Sequence, residues 1–186
     1  MKRVLFVLFT VVFLGGCKSD STQMEQALAF RNAVLSADQC TFSAVVTTDY
    51  GDSLYTFGMD CISDKDGTLH ITITKPETID GITCTVAGET GKLLFDDKAV
   101  LFETLADGQI TPVISPWLFM KVIRGGYIAF CERKDNNTEL RIDDTFSDVS
   151  FSTEVYFDET KTPTFAEILW QGRRIVSIDI SNFSIK

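Results

Sequence analysis

Two hydrophobic periods divide this chain. Met24, Ala27, Leu28, Val34 and Leu35 recur at helical spacing and predict one amphipathic helix reaching about Ala37. Thr22-Gln23-Met24-Glu25 has the form of a capping box, in which hydroxyl and carboxylate satisfy orphan amides reciprocally. From Cys40 the period becomes two. Phe42, Ala44 and Val46 alternate with Thr41, Ser43 and Thr47. Tyr50-Gly51-Asp52-Ser53 then forms a turn, and Tyr55, Phe57, Met59 and Cys61 alternate back, which predicts a hairpin. After the turn Asp64-Lys65-Asp66-Gly67, Leu69, Ile71 and Ile73 line one face of a third strand. Further strands are expected at 82–88, 92–96 and 99–104, and a hairpin at 127–134 and 138–143 around Asp135-Asn136-Asn137. Val149, Phe151, Val155 and Phe157 mark another strand. Ala166, Ile168 and Trp170 face inward on the next, and Val176, Ile178 and Ile180 on the last, across a Gln171-Gly172 turn. Strands joined by such short turns form an antiparallel meander.

One segment departs from alternation. Ser115-Pro116 supplies an N-cap and a proline at the first helical position, and Gly125-Gly126 the stop. Between them Trp117, Leu118, Phe119, Met120, Val122 and Ile123 leave almost no polar face. A helix apolar all round is buried, or else covers something apolar.

The first residues are an address. Lys2 and Arg3 precede a short apolar run from Val4 to Leu14; a spanning helix needs about 20 apolar residues, so the run reads as a secretory signal. It ends in Leu14-Gly15-Gly16-Cys17, which resembles the lipobox of bacterial lipoproteins. That resemblance implies cleavage after Gly16 and diacylglycerol on the Cys17 thiol. The expected division is then a signal peptide at 1–16, lipidated Cys17 with a polar linker at 17–22, and one domain at 23–186. Paired acyl chains anchor stably where one binds only transiently. The protein is thus expected outside the cytoplasm, lipid-anchored to the bacterial cell membrane.

The order of elements along residues 24–186 resembles the LolA/LolB-like lipoprotein-carrier superfamily. Its carriers are a capped N-terminal helix, a long meander and one Ser-Pro helix between strands. Lys75-Pro76 closing the third strand, Asp158 with Pro163 and the strand through Ile168, and Asn182-Phe183 near the end are similar to motifs of that superfamily. The resemblance implies an α+β fold: a strongly curved antiparallel half-barrel closed by the N-terminal helix and the short apolar helix. It also implies a cavity for an acyl chain, another apolar ligand or a lipoprotein, with Trp117, Leu118, Phe119 and Met120 as the residues expected at it. The lipobox argues against a free shuttle. GerS-like spore lipoproteins of the same superfamily imply a second role, as a non-catalytic envelope partner that binds and activates a cell-wall or spore-cortex amidase.

Composition narrows the chemistry. The formal charge is −9, from 17 Lys and Arg against 26 Asp and Glu, and it becomes −11 once Lys2 and Arg3 leave with the signal. Such a surface works against nucleic acid and anionic headgroups alike. The one histidine, His70, lies between Leu69 and Ile71 without a Gly-x-Ser-x-Gly elbow anywhere in the chain; it reads as a solvated strand residue, and no enzyme activity is expected. Asp64-Lys65-Asp66-Gly67 resembles the start of a calcium loop, but Lys75 stands where the bidentate Glu belongs. Asp96-Asp97 and Asp143-Asp144 read as solvated strand-end carboxylates, and no metal or cofactor is expected. Cys40, Cys61, Cys84 and Cys131 lack metal-type spacing. Either they pair, Cys40–Cys61 being the preferred bridge with Cys84–Cys131 the remainder, or they are four buried thiols.

Overall fold

Alternation becomes structure from Gln39 onward. β1 (Gln39–Asp49) buries Cys40, Phe42, Ala44, Val46 and Thr48, and β2 (Leu54–Asp64) buries Met59, Cys61 and Ser63. β3 (Leu69–Lys75) buries Leu69, Ile71 and Ile73. β4 (Thr83–Ala87), β5 (Thr90–Phe95) and β6 (Lys98–Glu103) continue outward to one edge. β7 (Leu105–Ala106) and β8 (Gln109–Ile110) form a separate two-stranded ribbon that the sequence pattern did not mark. β9 (Tyr127–Lys134), β10 (Asn137–Asp144), β11 (Phe151–Phe157), β12 (Pro163–Trp170) and β13 (Arg173–Ile185) build the other half. The computed structural model describes residues 19–88, 90–95, 98–103, 105–106, 109–134, 137–144 and 151–186. The signal segment, Cys17, Asp96-Asp97, Thr104, Asp135-Asn136 and Val149 lie outside the described residues.

The main sheet has eleven strands in the order β6-β5-β4-β3-β2-β1-β13-β12-β11-β10-β9, antiparallel throughout. This is not one continuous meander. Two meanders, β1–β6 and β9–β13, are joined where the first strand pairs with the last, from Cys40↔Ile185 to Thr48↔Val176. The sheet is curved and does not close on itself; β6 and β9 are its two edges.

Two helices supply the rest of the α+β fold. α1 (Ser19–Ser36) is already helical at Ser19, so Thr22 lies inside it and is not the start that the capping box predicted. Its inward stripe also differs from expectation. Ala27, Val34 and Ala37 are buried, with Met24 and Phe30 packed beside them, whereas Leu28 and Leu35 stay exposed. Phe30 meets Phe157 edge to face, with centroids 5.0 Å apart. α2 (Ser115–Gly125) follows a 3-10 turn at Pro112–Ile114, so Ile114 rather than Ser115 occupies the capping position. The helix ends at Gly126, a position only glycine fits, because a Cβ there would collide with Ile142 Cγ2 and lie 2.9 Å from the Val122 carbonyl oxygen.

Both helices and the buried strand residues share one hydrophobic core. Trp170 and the register of the first hairpin differ from expectation. Trp170 has the inward parity of Ala166 and Ile168 but is 40% exposed. The β1–β2 hairpin centres on Gly51-Asp52, pairing Asp49 with Leu54, so Cys40 faces Ser63 and Cys61 faces Phe42.

Candidate functional site

The sequence points to the apolar helix as the place for a ligand. Trp117, Leu118, Phe119 and Met120 are all buried, with Phe119 wholly excluded from solvent. Phe119 meets Phe42 of β1, and Phe42 in turn stacks on Phe183 of β13, with centroids 5.7 Å apart. Three basic side chains hold the helix in place. Arg31 of α1 donates from Nε to the Ile123 carbonyl (2.7 Å) and from Nη2 to the Gly126 carbonyl (2.8 Å), satisfying carbonyls that a helix end leaves orphaned. Arg124 donates to the Asp64 and Lys65 carbonyls at 2.8 and 3.0 Å. The Asp64–Gly67 turn therefore receives the end of α2. Lys121 pairs with the buried Asp144 at 3.1 Å and lies 5.5 Å over the Trp117 ring.

Two cavities lie elsewhere among the described residues. The first, between α1 and the β10–β11 wing, is lined chiefly by Ala27, Phe30, Leu140 and Phe157 and holds only about 20 Å³. The second is a groove of about 300 Å³ at one end of the sheet, where Asp49 and Tyr50 meet Ile110, Trp170, Gln171, Arg173 and Ile175. Trp117, Leu118, Phe119 and Met120 line neither. The groove escaped the sequence because its parts come from three stretches 60 or more residues apart; only the unexplained exposure of Trp170 marks it.

His70 has partners on both ring nitrogens. Nε2 lies 3.0 Å from Asp64 Oδ2 and Nδ1 3.3 Å from Thr85 Oγ1. This row of hydroxyl, imidazole and carboxylate sits exposed on the outer sheet face, and neither cavity reaches it. Asp158 is a turn-former: its Oδ1 accepts from Thr160 Oγ1 (2.7 Å), Thr160 N (2.9 Å) and Thr162 N (3.0 Å). The Thr160 hydroxyl bond holds its carboxyl below the ordinary range. Asp143 and Asp144 are not simply solvated. Asp143 accepts from the Ser152 hydroxyl at 2.9 Å, and Asp144 is buried.

All four core cysteines are buried free thiols. The register explains why the preferred bridge does not form: a turn centred one residue later shifts the pairing by two and puts Ser63, not Cys61, opposite Cys40. Cys61 and Cys84 share a row but are separated by Ile71 of the strand between them. Cys84 on β4 and Cys131 on β9 belong to opposite halves of the sheet. Burial raises each thiol pKa, that of Cys84 to about 11 and that of Cys61 further.

No family model matches the sequence, and no curated protein matches it. Solved structures do. A DUF1329 family protein from Desulfovibrio piger shares the fold at a TM-score of 0.50, with 11% identity over 91% of this chain and 94% of that one. The LolA superfamily protein NE2245 from Nitrosomonas europaea is similar at 0.45, with 12% identity over 91% and 94%. GerS, solved in complex with the CwlD amidase from Clostridioides difficile, is similar at 0.43, with 14% identity over 92% and 100%.

Proposed function

We propose that this chain is an extracytoplasmic lipoprotein, anchored through Cys17, whose LolA-like scaffold binds a partner protein without catalysing a reaction. The observation that carries this reading is the burial of α2 in the core it shares with the sheet. Phe119 and Met120 are buried in the shared core, and the cavity under α1, which they do not line, holds only about 20 Å³. Small-molecule sites run to about 300–1,000 Å³; a void of this size admits about one water molecule. A scaffold packed in this way has its outer surface and its groove left for recognition. The acidic balance, −9 over the whole chain, favours a partner with a basic face.

The sequence resemblance makes an envelope or spore-cortex amidase the first partner to test. Cross-linking of the full-length lipoprotein in native membranes, followed by mass spectrometry, should return one protein in stoichiometric amount. Recovery of no cross-linked protein above a Cys17→Ser control would contradict the reading. For the anchor itself, a fatty-acid metabolic label should mark the wild type and not Cys17→Ser; equal labelling would refute it.

One observation favours an apolar cargo instead. The small void is walled by Ala27, Phe30, Leu140 and Phe157, so outward movement of α1 would open an apolar slot continuous with the core. Lipid co-purifying with the protein beyond its own anchor would support that second reading.

A further inference from the structure

The groove at the sheet end combines features that no packing argument requires. β12 and β13 meet at Trp170↔Arg173 across a two-residue turn. Both turn residues have positive φ, 51° at Gln171 and 78° at Gly172. Such turns favour Asn or Gly, so a glutamine at the first position carries a local cost. Its placement puts a primary amide at the rim. Trp170 beside it is a large aromatic with inward parity but 40% exposed, facing into the groove rather than into the core.

The opposite wall is equally defined. Tyr50 donates its hydroxyl to the Ile110 carbonyl, which ties the β1–β2 turn to the ribbon. Asp49 Oδ1 is oriented by the Gly51 amide at 2.7 Å. Arg173 lies 3.6 Å from that same oxygen, beyond the 2.7–2.9 Å of a tight charge-assisted bond. The groove thus offers two aromatic surfaces, an apolar floor of Ile110 and Ile175, and a rim of one carboxylate, one amide and one guanidinium.

We infer that this groove is a saccharide-binding site. A pyranose ring has apolar C–H faces that lie against aromatic rings and equatorial hydroxyls that both donate and accept. The lining matches that amphipathic shape: rings and Ile side chains for the faces, Asp49 to accept, Arg173 to donate, Gln171 to do both. The opposed charges of Asp49 and Arg173 disfavour an anion or a cation equally. A volume of about 300 Å³ lies at the small end of ligand sites, and the charged rim of Asp49 and Arg173 suits hydroxyl groups rather than an acyl chain.

The test is isothermal titration of the full-length protein in nanodiscs with two neutral probes, chitotriose and maltotriose, and with the tripeptide Ala-Phe-Ala. Saturable binding of at least one sugar is expected, weakened about tenfold by Trp170→Ala. Gln171→Ala should weaken it less. Gln171 is exposed, so Gln171→Ala should keep the melting temperature within about 2 °C of wild type, while Trp170→Ala, at a ring 40% exposed, should lower it by a few degrees and leave the protein folded. Saturable binding of the tripeptide alone, binding of neither sugar, or sugar binding indifferent to Trp170→Ala would overturn the inference.

Discussion

Phe42 of β1 and Phe119 of α2 meet edge to face, with ring centroids 5.8 Å apart and planes at 74°. Aromatic pairs favour this geometry because the positive edge of one ring addresses the negative face of the other. The contact joins the centre of the sheet to the middle of the apolar helix. It makes α2 a filler of the inner face.

Truncating that filler should be costly. Trp117 is 5% exposed and sits in the shared core. Trp117→Ala should lower unfolding stability by about 3–5 kcal/mol, measured by urea titration, with a fall of roughly 10 °C in melting temperature. A loss under about 1 kcal/mol would show that the helix lines open space.

Arg31 ties the two helices through carbonyls rather than through a carboxylate. Arg31→Ala removes charge-assisted bonds to the Ile123 and Gly126 carbonyls and should cost about 2–3 kcal/mol. Arg31→Lys should recover only part, since one ammonium lacks the fork that reaches both oxygens. Hydrogen exchange at the last turn of α2 should rise in both variants, more in the alanine.

Gly126 stops α2 in a place with no room. Gly126→Ala drives a methyl against Ile142 Cγ2 and the Val122 carbonyl, and backbone cannot step aside as a flexible side chain would. An overpacking cost of about 2 kcal/mol is expected by denaturant titration. Gly125→Ala, whose Cβ would meet nothing within 4 Å, should cost much less.

The buried thiols set an alkaline limit. Burial raises the pKa of Cys61 and Cys84 in the folded protein. Below the unfolded thiol value, about 8.5, both states hold the proton and stability is independent of these groups. As pH rises above it, the unfolded state loses the proton first and stability falls toward the folded pKa. Cys61 alone should contribute a slope of about 1.4 kcal/mol per pH unit in that window, read from urea titrations between pH 8 and 10. Cys61→Ala should reduce the slope by that amount, leaving the share of the other raised thiols. Without denaturant at pH 8, the four core thiols should resist alkylation.

Much of this fold was legible because half-buried strands write themselves as alternation. Phe42, Ala44 and Val46, then Leu69, Ile71 and Ile73, are buried as the period-two pattern implied. The register was not legible. A turn centred one residue later, with Gly51 at φ 91°, is enough to replace Cys61 by Ser63 opposite Cys40. Nor was the true stripe of α1, because Arg31 points inward to reach carbonyls of α2 and a hydropathy pattern counts it as polar. Leu28 and Leu35 fit the hydropathy pattern and are exposed. The pairing of β1 with β13 joins residues more than 120 positions apart, and the groove depends on it. Trp170 gave a trace of that site only after its strand was in place.

The claim that this scaffold is filled, and recognises partners from outside, is tested most directly by titrating the purified protein with an environment-sensitive fatty-acid probe. No saturable binding is expected, and extraction of the protein should yield no fatty acid beyond the Cys17 anchor. One-to-one binding of the probe, displaced by palmitate, would contradict the filled interior and establish an apolar cargo.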